Sequence, residues 1–169
     1  MEWLTSPLLN ELPFIGHAFL TRSGGYSRGP FSSLNCSPWV GDNSQSVDQN
    51  LAQVQACFRL HQLHLMHQEH GLVLMCADGV NHVRLGGCDG SWTREPGRGL
   101  MVLHADCQPI LIADAEGRAV MAVHAGWRGV MAGIVPTALR ELERVGCASK
   151  QLFLAIGPSL GPQSAEFKN

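Results

Sequence analysis

The sequence predicts a single domain of the α+β class, and three features predict it. Val47, Leu51, Val54 and Phe58 recur at helical spacing from Ser46 onward. The runs Pro109 to Ala113 and Ala119 to His124 flank Asp114-Ala115-Glu116-Gly117-Arg118 as strands flank a hairpin turn. Met131, Ile134, Val135, Ala138, Leu139 and Leu142 then trace one helical face within Val130 to Val145. At 169 residues and 45% hydrophobic content, the chain supports one core and is too short to divide comfortably into two. One domain over 1–169 is therefore expected.

Along the chain, the first third is rich in turn formers, from Thr21 to Pro30 and again from Pro38 to Ser46. A loop with Arg28 beside glycine either holds an anion or is a solvated surface turn. The first helix is expected to end before His61. His64 to Met75 and Leu100 to His104 read as strands. If the hairpin turn is symmetric about Ala115 and Glu116, Cys107 lies opposite His124, and facing residues of such a pair are about 5 Å apart at Cα. Pro136 either interrupts the last helix or begins it. Either way, a helix near His124 offers N–H groups and a positive dipole end to an anion.

Net charge is −2 with Lys and Arg scattered, so neither nucleic acid nor an anionic membrane is an expected partner. The N-terminus has no basic leader region, and no apolar run approaches the roughly 20 residues that span a bilayer. A cytoplasmic protein with a small-molecule partner is expected. Six cysteines at irregular spacing, without a Cys-x-x-Cys pair, read as reduced thiols.

Histidines 61, 64, 67 and 70 form a ladder at spacing three, yet this spacing drifts around a helix and alternates faces on a strand. At most two of them can enter one site. His70 is favoured because Gly71 follows it, where backbone can approach a ligand closely. Cys107 has the commoner reading of a small buried hydrophobe. Its place at the mouth of a hairpin and opposite a histidine favours a functional one. His104, of opposite strand parity to Cys107, is left outside. Together His70, Cys107 and His124 make a three-ligand zinc set with a fourth position open, as in catalytic rather than structural sites.

Further matches turn these residues into a recognisable pattern. They include Thr21-Arg22-Ser23-Gly24-Gly25-Tyr26-Ser27, Ser33-Leu34-Asn35, Val40-Gly41-Asp42, Gln68-x-His70-Gly71, and Asp89 with Thr93. To these are added Ala105-Asp106-Cys107-x-Pro109, His124-Ala125-Gly126-Trp127-Arg128-Gly129 and Ile156-Gly157-Pro158-Ser159. From about residue 16 to 162 the chain resembles the laccase-domain, or multicopper polyphenol oxidase-like, family of purine nucleoside phosphorylases. The resemblance implies mixed β-sheets flanked by helices in α/β layers, as in the catalytic domain of cytotoxic necrotizing factor. It implies a metal on His70, Cys107 and His124, usually zinc with copper as the alternative. Phosphorolysis of adenosine, inosine and methylthioadenosine is implied, with adenosine deamination as a second activity, in a cytoplasmic monomer or weak homodimer.

In that reading Arg22 and Arg128 hold phosphate, Asn35 contacts substrate through its amide, and Asp89 and Asp106 bind substrate or relay protons. If Arg128 only stacks on Trp127, its role fails. The chain departs from the family at Glu69, at Leu51 after Asn50, and in stopping soon after Gly157-Pro158. It is expected to be a C-terminally shortened member. Two competitors stand beside the phosphorylase: a metal-independent cysteine hydrolase using Cys107 and His124, and a non-catalytic zinc clip closed by His104 or Asp106. A multicopper oxidase would need many more paired histidines.

Overall fold

The computed structural model describes residues 1–161 together with 163 and 164; the last part of the domain expected over 1–169 lies outside the described residues. Strand β1 (Trp3–Leu4) pairs antiparallel with β2 (Phe19–Leu20), and the short helix α1 (Pro7–Asn10) lies between them. Ser6 caps α1 by accepting the Leu9 N–H, and Pro7 at the first helical position sacrifices no hydrogen bond. Helix α2 (Ser44–Cys57) begins where the Asn43 side chain accepts the Ser46 N–H at 3.0 Å. From its buried face, Asn50 accepts from the Tyr26 N–H and donates to Ser27 Oγ and to the Ser33 and Asn35 carbonyls. One amide thus fastens the long first loop to α2.

Eight further strands follow. They are β3 (Gln62–His67), β4 (Leu74–Cys76), β5 (Arg84–Gly87), β6 (Gly90–Thr93), β7 (Arg98–Met101), β8 (Gln108–Asp114), β9 (Val120–Ala125) and, after helices α3 (Trp127–Ala132) and α4 (Ile134–Arg144), β10 (Leu152–Ile156). A parallel three-stranded sheet has the order β5-β3-β7. A mixed five-stranded sheet has the order β10-β8-β9-β6-β4, in which β4 and β6 alone are parallel. Mixed sheets with helices against them make this the α+β architecture expected.

Helix α2 covers one face of the small sheet through Val54 against Leu63, Leu65 and Met101. Helix α4 covers the large sheet, with Ile134, Ala138 and Leu142 among Ile110, Ile112, Met121 and Val123. Each such large aliphatic side chain, fully buried, contributes about 1.5–3 kcal/mol. Met66, on the other face of β3, joins Leu85 and Ala122 between the two sheets.

Three local expectations change. His64 to Met75 is not one strand: β3 ends at His67 and β4 begins at Leu74, because backbone N–H groups of the intervening loop turn onto the Asp89 carboxylate. The expected strand from Leu100 to His104 ends at Met101. The hairpin forms, but Pro109 rather than Cys107 faces His124. The turn slips because buried Asp114 accepts the Glu116 and Arg118 N–H groups and grips the Arg118 guanidinium, placing Glu116 and left-handed Gly117 at its centre. As for Pro136, it sits in the first turn of α4, where its missing N–H is harmless. The break from α3 falls at Gly133, whose φ of 93° suits only glycine.

Candidate metal centre

Asp89 is 1% exposed and stands immediately before β6. Its carboxylate accepts the backbone N–H groups of Glu69 (3.2 Å), His70 (2.9 Å) and Gly71 (2.7 Å). Oδ1, which accepts from His70, also meets His124 Nδ1 at 2.8 Å. Burial works against its charge, but the His124 hydrogen bond and the backbone donors outweigh it, holding the carboxyl below its ordinary range. One carboxylate therefore positions two of the expected ligands. With Nδ1 donating to Asp89, His124 presents Nε2 to the site, the carboxylate–histidine arrangement that orients metal ligands.

His70 has φ of 59°, a left-handed conformation that costs a non-glycine residue about 1–2 kcal/mol. The three bonds from residues 69–71 to Asp89 hold it there and aim Nε2 at Cys107 Sγ, 3.8 Å away. The His70 and His124 rings meet edge to face with centroids 4.7 Å apart. Cys107 arrives from just before β8, half-buried. Gln68 ties the two loops together, its amide donating to the Leu103 carbonyl and accepting the Leu103 N–H, each at 2.7 Å.

One ligand atom from each of His70, Cys107 and His124 lies within 4.8 Å of the other two. Tetrahedral zinc with ordinary Zn–N and Zn–S bonds separates N from S by about 3.6 Å, close to the 3.8 Å between His70 and Cys107. The space among them is also kept clear. A Cβ on Gly126 would fall 2.7 Å from His70 Cδ2 and 3.2 Å from Cys107 Sγ. Two imidazoles, one thiol and a cleared centre fit a metal ion. Burial, then the charges of Asp106 and Asp89, push the Cys107 thiol up, so a bound cation is what would favour its thiolate. Burial likewise pushes His124 down, more than Asp89 raises it, and keeps it in the neutral form a metal requires.

The cluster opens on a cavity of about 1670 Å³ that runs between the two sheets, larger than the roughly 300–1,000 Å³ usual for small-molecule sites. Arg22, Asn35 and Asp106 line it, as do all three cluster residues. Arg22 directs Nε and Nη2 to the Ser32 carbonyl, and the Asn35 amide bonds Asp42 and the Ser37 backbone. Asp89 lies beneath the cluster rather than on the cavity wall. Arg128 is not brought in: its guanidinium lies over the Trp127 ring at 5.1 Å, away from the cavity lining.

The rest of the histidine ladder stays apart. His64 is enclosed in the small sheet, the His67 ring meets Trp39 at a tilt and His61 packs at Gly97. Two further residues, neither of them given a role in the phosphorylase reading of the sequence, line the cavity beside the cluster. Gln68 is one; its signal in the sequence was its place in the Gln68-x-His70-Gly71 match. The other is His104, which lines the cavity because β7 has ended before it. Strand parity, the ground for leaving it outside, does not apply there.

Residues 16–169 match the model of the family described as multi-copper polyphenol oxidoreductase laccase. A purine nucleoside phosphorylase of Pseudomonas aeruginosa is 36% identical over 146 residues, covering 86% of this chain and 57% of that protein. One from Bacteroides thetaiotaomicron is 34% identical over 169 residues, covering 94% and 63%. Among solved structures, YlmD from Geobacillus stearothermophilus superposes with a TM-score of 0.80 at 32% identity, covering 86% of this chain and 58% of that one. A Neisseria meningitidis protein gives 0.75 at 31%, covering 84% and 57%. The chain thus spans about three fifths of the length of these relatives. Among the described residues, no helix is long and apolar enough to cross a membrane.

Proposed function

Because the chain belongs to the multi-copper polyphenol oxidoreductase laccase family, whose members include proteins named purine nucleoside phosphorylase, we propose that it is a zinc-dependent purine nucleoside phosphorylase of the cytoplasm. The observation that carries this reading is the open cluster of His70, Cys107 and His124 at the wall of a large cavity. Its substrates are adenosine, inosine and methylthioadenosine with inorganic phosphate. His70, Cys107 and His124 would hold the zinc, which when bound supplies a Lewis acid for a substrate oxygen.

The protein's own groups supply the rest. Asp89 fixes His124 and the His70 loop, so the ligands are organised before substrate arrives. Arg22, whose Nη1 has no hydrogen bond among the described residues beside its Ser32 bonds, helps place phosphate beneath C1′, and Asn35 lies on the same cavity wall to contact ribose. Phosphate oxygen attacks C1′, the bond to N9 breaks, and its electrons leave with the purine. Adenosine deamination would be a second activity of the same site, with Asp106 at the cavity wall as the proton relay.

Zinc suits two imidazoles and a thiolate, and copper is the alternative metal for such a set. A laccase chemistry suits this site poorly, since one three-donor cluster is found among the described residues. The cysteine-hydrolase reading also weakens, because burial and nearby carboxylates favour the thiol over the thiolate. The test is phosphate-dependent release of hypoxanthine from inosine and adenine from methylthioadenosine by zinc-loaded protein. Release that is abolished in Cys107→Ala and needs phosphate supports the reading. Activity indifferent to chelators but stopped by iodoacetamide would replace it with the thiol hydrolase.

A further inference from the structure

Most polar side chains on the cavity wall already have partners. Gln68 is taken up by Leu103, Asn35 by Asp42 and Ser37, Arg22 by Ser32. His104 is different. It lines the cavity, Nδ1 is shut off from solvent without a hydrogen bond, and neither ring nitrogen has a hydrogen-bond partner among the described residues.

A half-buried imidazole without partners has no tautomer imposed on it. Either nitrogen can carry the hydrogen, and an incoming ligand decides which. Burial, and then the neighbouring His124, push the ring toward its neutral form. A neutral imidazole can donate an N–H without bringing a second cation beside the metal ligands. His104 and the cluster line the same cavity, while the cluster itself comprises only His70, Cys107 and His124 among the described residues.

Resting on the phosphorylase reading, we infer that His104 is a substrate-contacting catalytic residue that donates a ring N–H to N7 of the purine as the base departs. When the C1′–N9 bond breaks, its electron pair spreads over the five-membered ring of the base, and N7 gains negative charge. A hydrogen bond that strengthens with that charge lowers the barrier without transferring a proton. N7 is an acceptor in adenine and hypoxanthine alike, so one such donor serves 6-amino and 6-oxo purines equally. The charge on the base, and not the group at C6, then governs how much His104 matters.

The test uses inosine and 7-methylinosine, whose methylated N7 accepts no hydrogen bond and whose cationic base leaves unaided. In zinc-loaded His104→Ala, kcat on inosine should fall about tenfold to a hundredfold, with less than a threefold change on 7-methylinosine and unchanged zinc content. His104→Gln, which keeps an N–H donor, should recover part of the loss. Equal losses on both nucleosides, or loss of zinc from His104→Ala, would overturn the assignment, the second by making His104 a metal ligand. If wild-type protein releases base from neither nucleoside, the phosphorylase reading falls. The contact is then decided by ¹⁵N resonances of the His104 ring on adding hypoxanthine to zinc-loaded protein. A shift confined to His104 and its neighbours upholds it, and none overturns it.

Discussion

Two buried histidines stand in the two sheets, and only one of them joins the cluster that could hold a metal ion. His64, in the middle of the small parallel sheet, is 0% exposed, and His124, near the end of β9, is 3% exposed. Burial pushes both below their ordinary value. Yet His64 has both nitrogens engaged inside the fold, Nδ1 at 3.1 Å from the His82 carbonyl and Nε2 at 3.0 Å from Arg98 Nη1. His124 has one nitrogen fixed by a carboxylate and the other turned toward the cluster. The partner's charge separates the two further. A guanidinium beside His64 suppresses its basicity, whereas Asp89 sustains that of His124. Burial alone therefore says little about a histidine's role; the nitrogen left available, and the sign of the charge behind the ring, say more.

The contrast breaks most severely at Asp89. In Asp89→Ala, backbone donors of the His70 loop and His124 Nδ1 lose their acceptor together. Removing one partner from such a buried polar set costs about 3–5 kcal/mol, so urea unfolding should show a loss of that order and zinc binding should vanish. Asp89→Asn should fold better and bind zinc roughly 10–100-fold more weakly, measured by competition with a chromophoric chelator.

His64→Ala should reverse the pattern. It leaves a cavity and removes one partner of Arg98, which keeps Glu95 and the Val80 carbonyl, costing about 2–4 kcal/mol, but the zinc stoichiometry should equal that of the wild type. Gly126→Ala should do the opposite on a smaller scale. Its Cβ would stand 2.7 Å from His70 Cδ2, so zinc affinity should drop at least about tenfold, or 1.4 kcal/mol, while the metal-free protein unfolds within about 1 kcal/mol of wild type.

The smallest expected effect is on pH dependence. Because His64 is depressed below 6.5 in the folded chain, the unfolded chain takes up the proton first as pH falls. Its stabilising contribution is complete above 6.5 and is lost as pH drops toward the depressed value. In metal-free His64→Leu, the decline of the urea midpoint between pH 7.5 and 5 should be shallower than in wild type. A slope unchanged by the substitution would remove His64 from the account of acid sensitivity.

These same residues mark how far the sequence could be read. Helix α2, helix α4 and the β8–β9 hairpin follow from periodicity, because each buries one regular face. The grouping of His70, Cys107 and His124 follows from the residue types and the motif they complete. The two-residue slip of the hairpin was hidden because it depends on Asp114 gripping Arg118 across the turn, which in turn holds Gln151 near β10. The break after His67 was hidden for a like reason, since the acceptor that bends the loop, Asp89, is supplied from 20 residues away. Arg128 suits phosphate by its guanidinium and its place in the His124–Gly129 motif, but the guanidinium lies over its neighbour Trp127, away from the cavity lining. Long-range polar contacts carry no periodic signature, and here they set the details of the site.

In the proposed metalloenzyme, Asp89 organises an open, three-ligand metal centre. X-ray absorption at the zinc edge of the loaded protein tests it most directly. One sulfur and two imidazole nitrogens from the protein are expected, with a light fourth atom that exchanges when a small anion is added. A fourth ligand from the protein, unmoved by such additions, would contradict it and make the centre a structural clip.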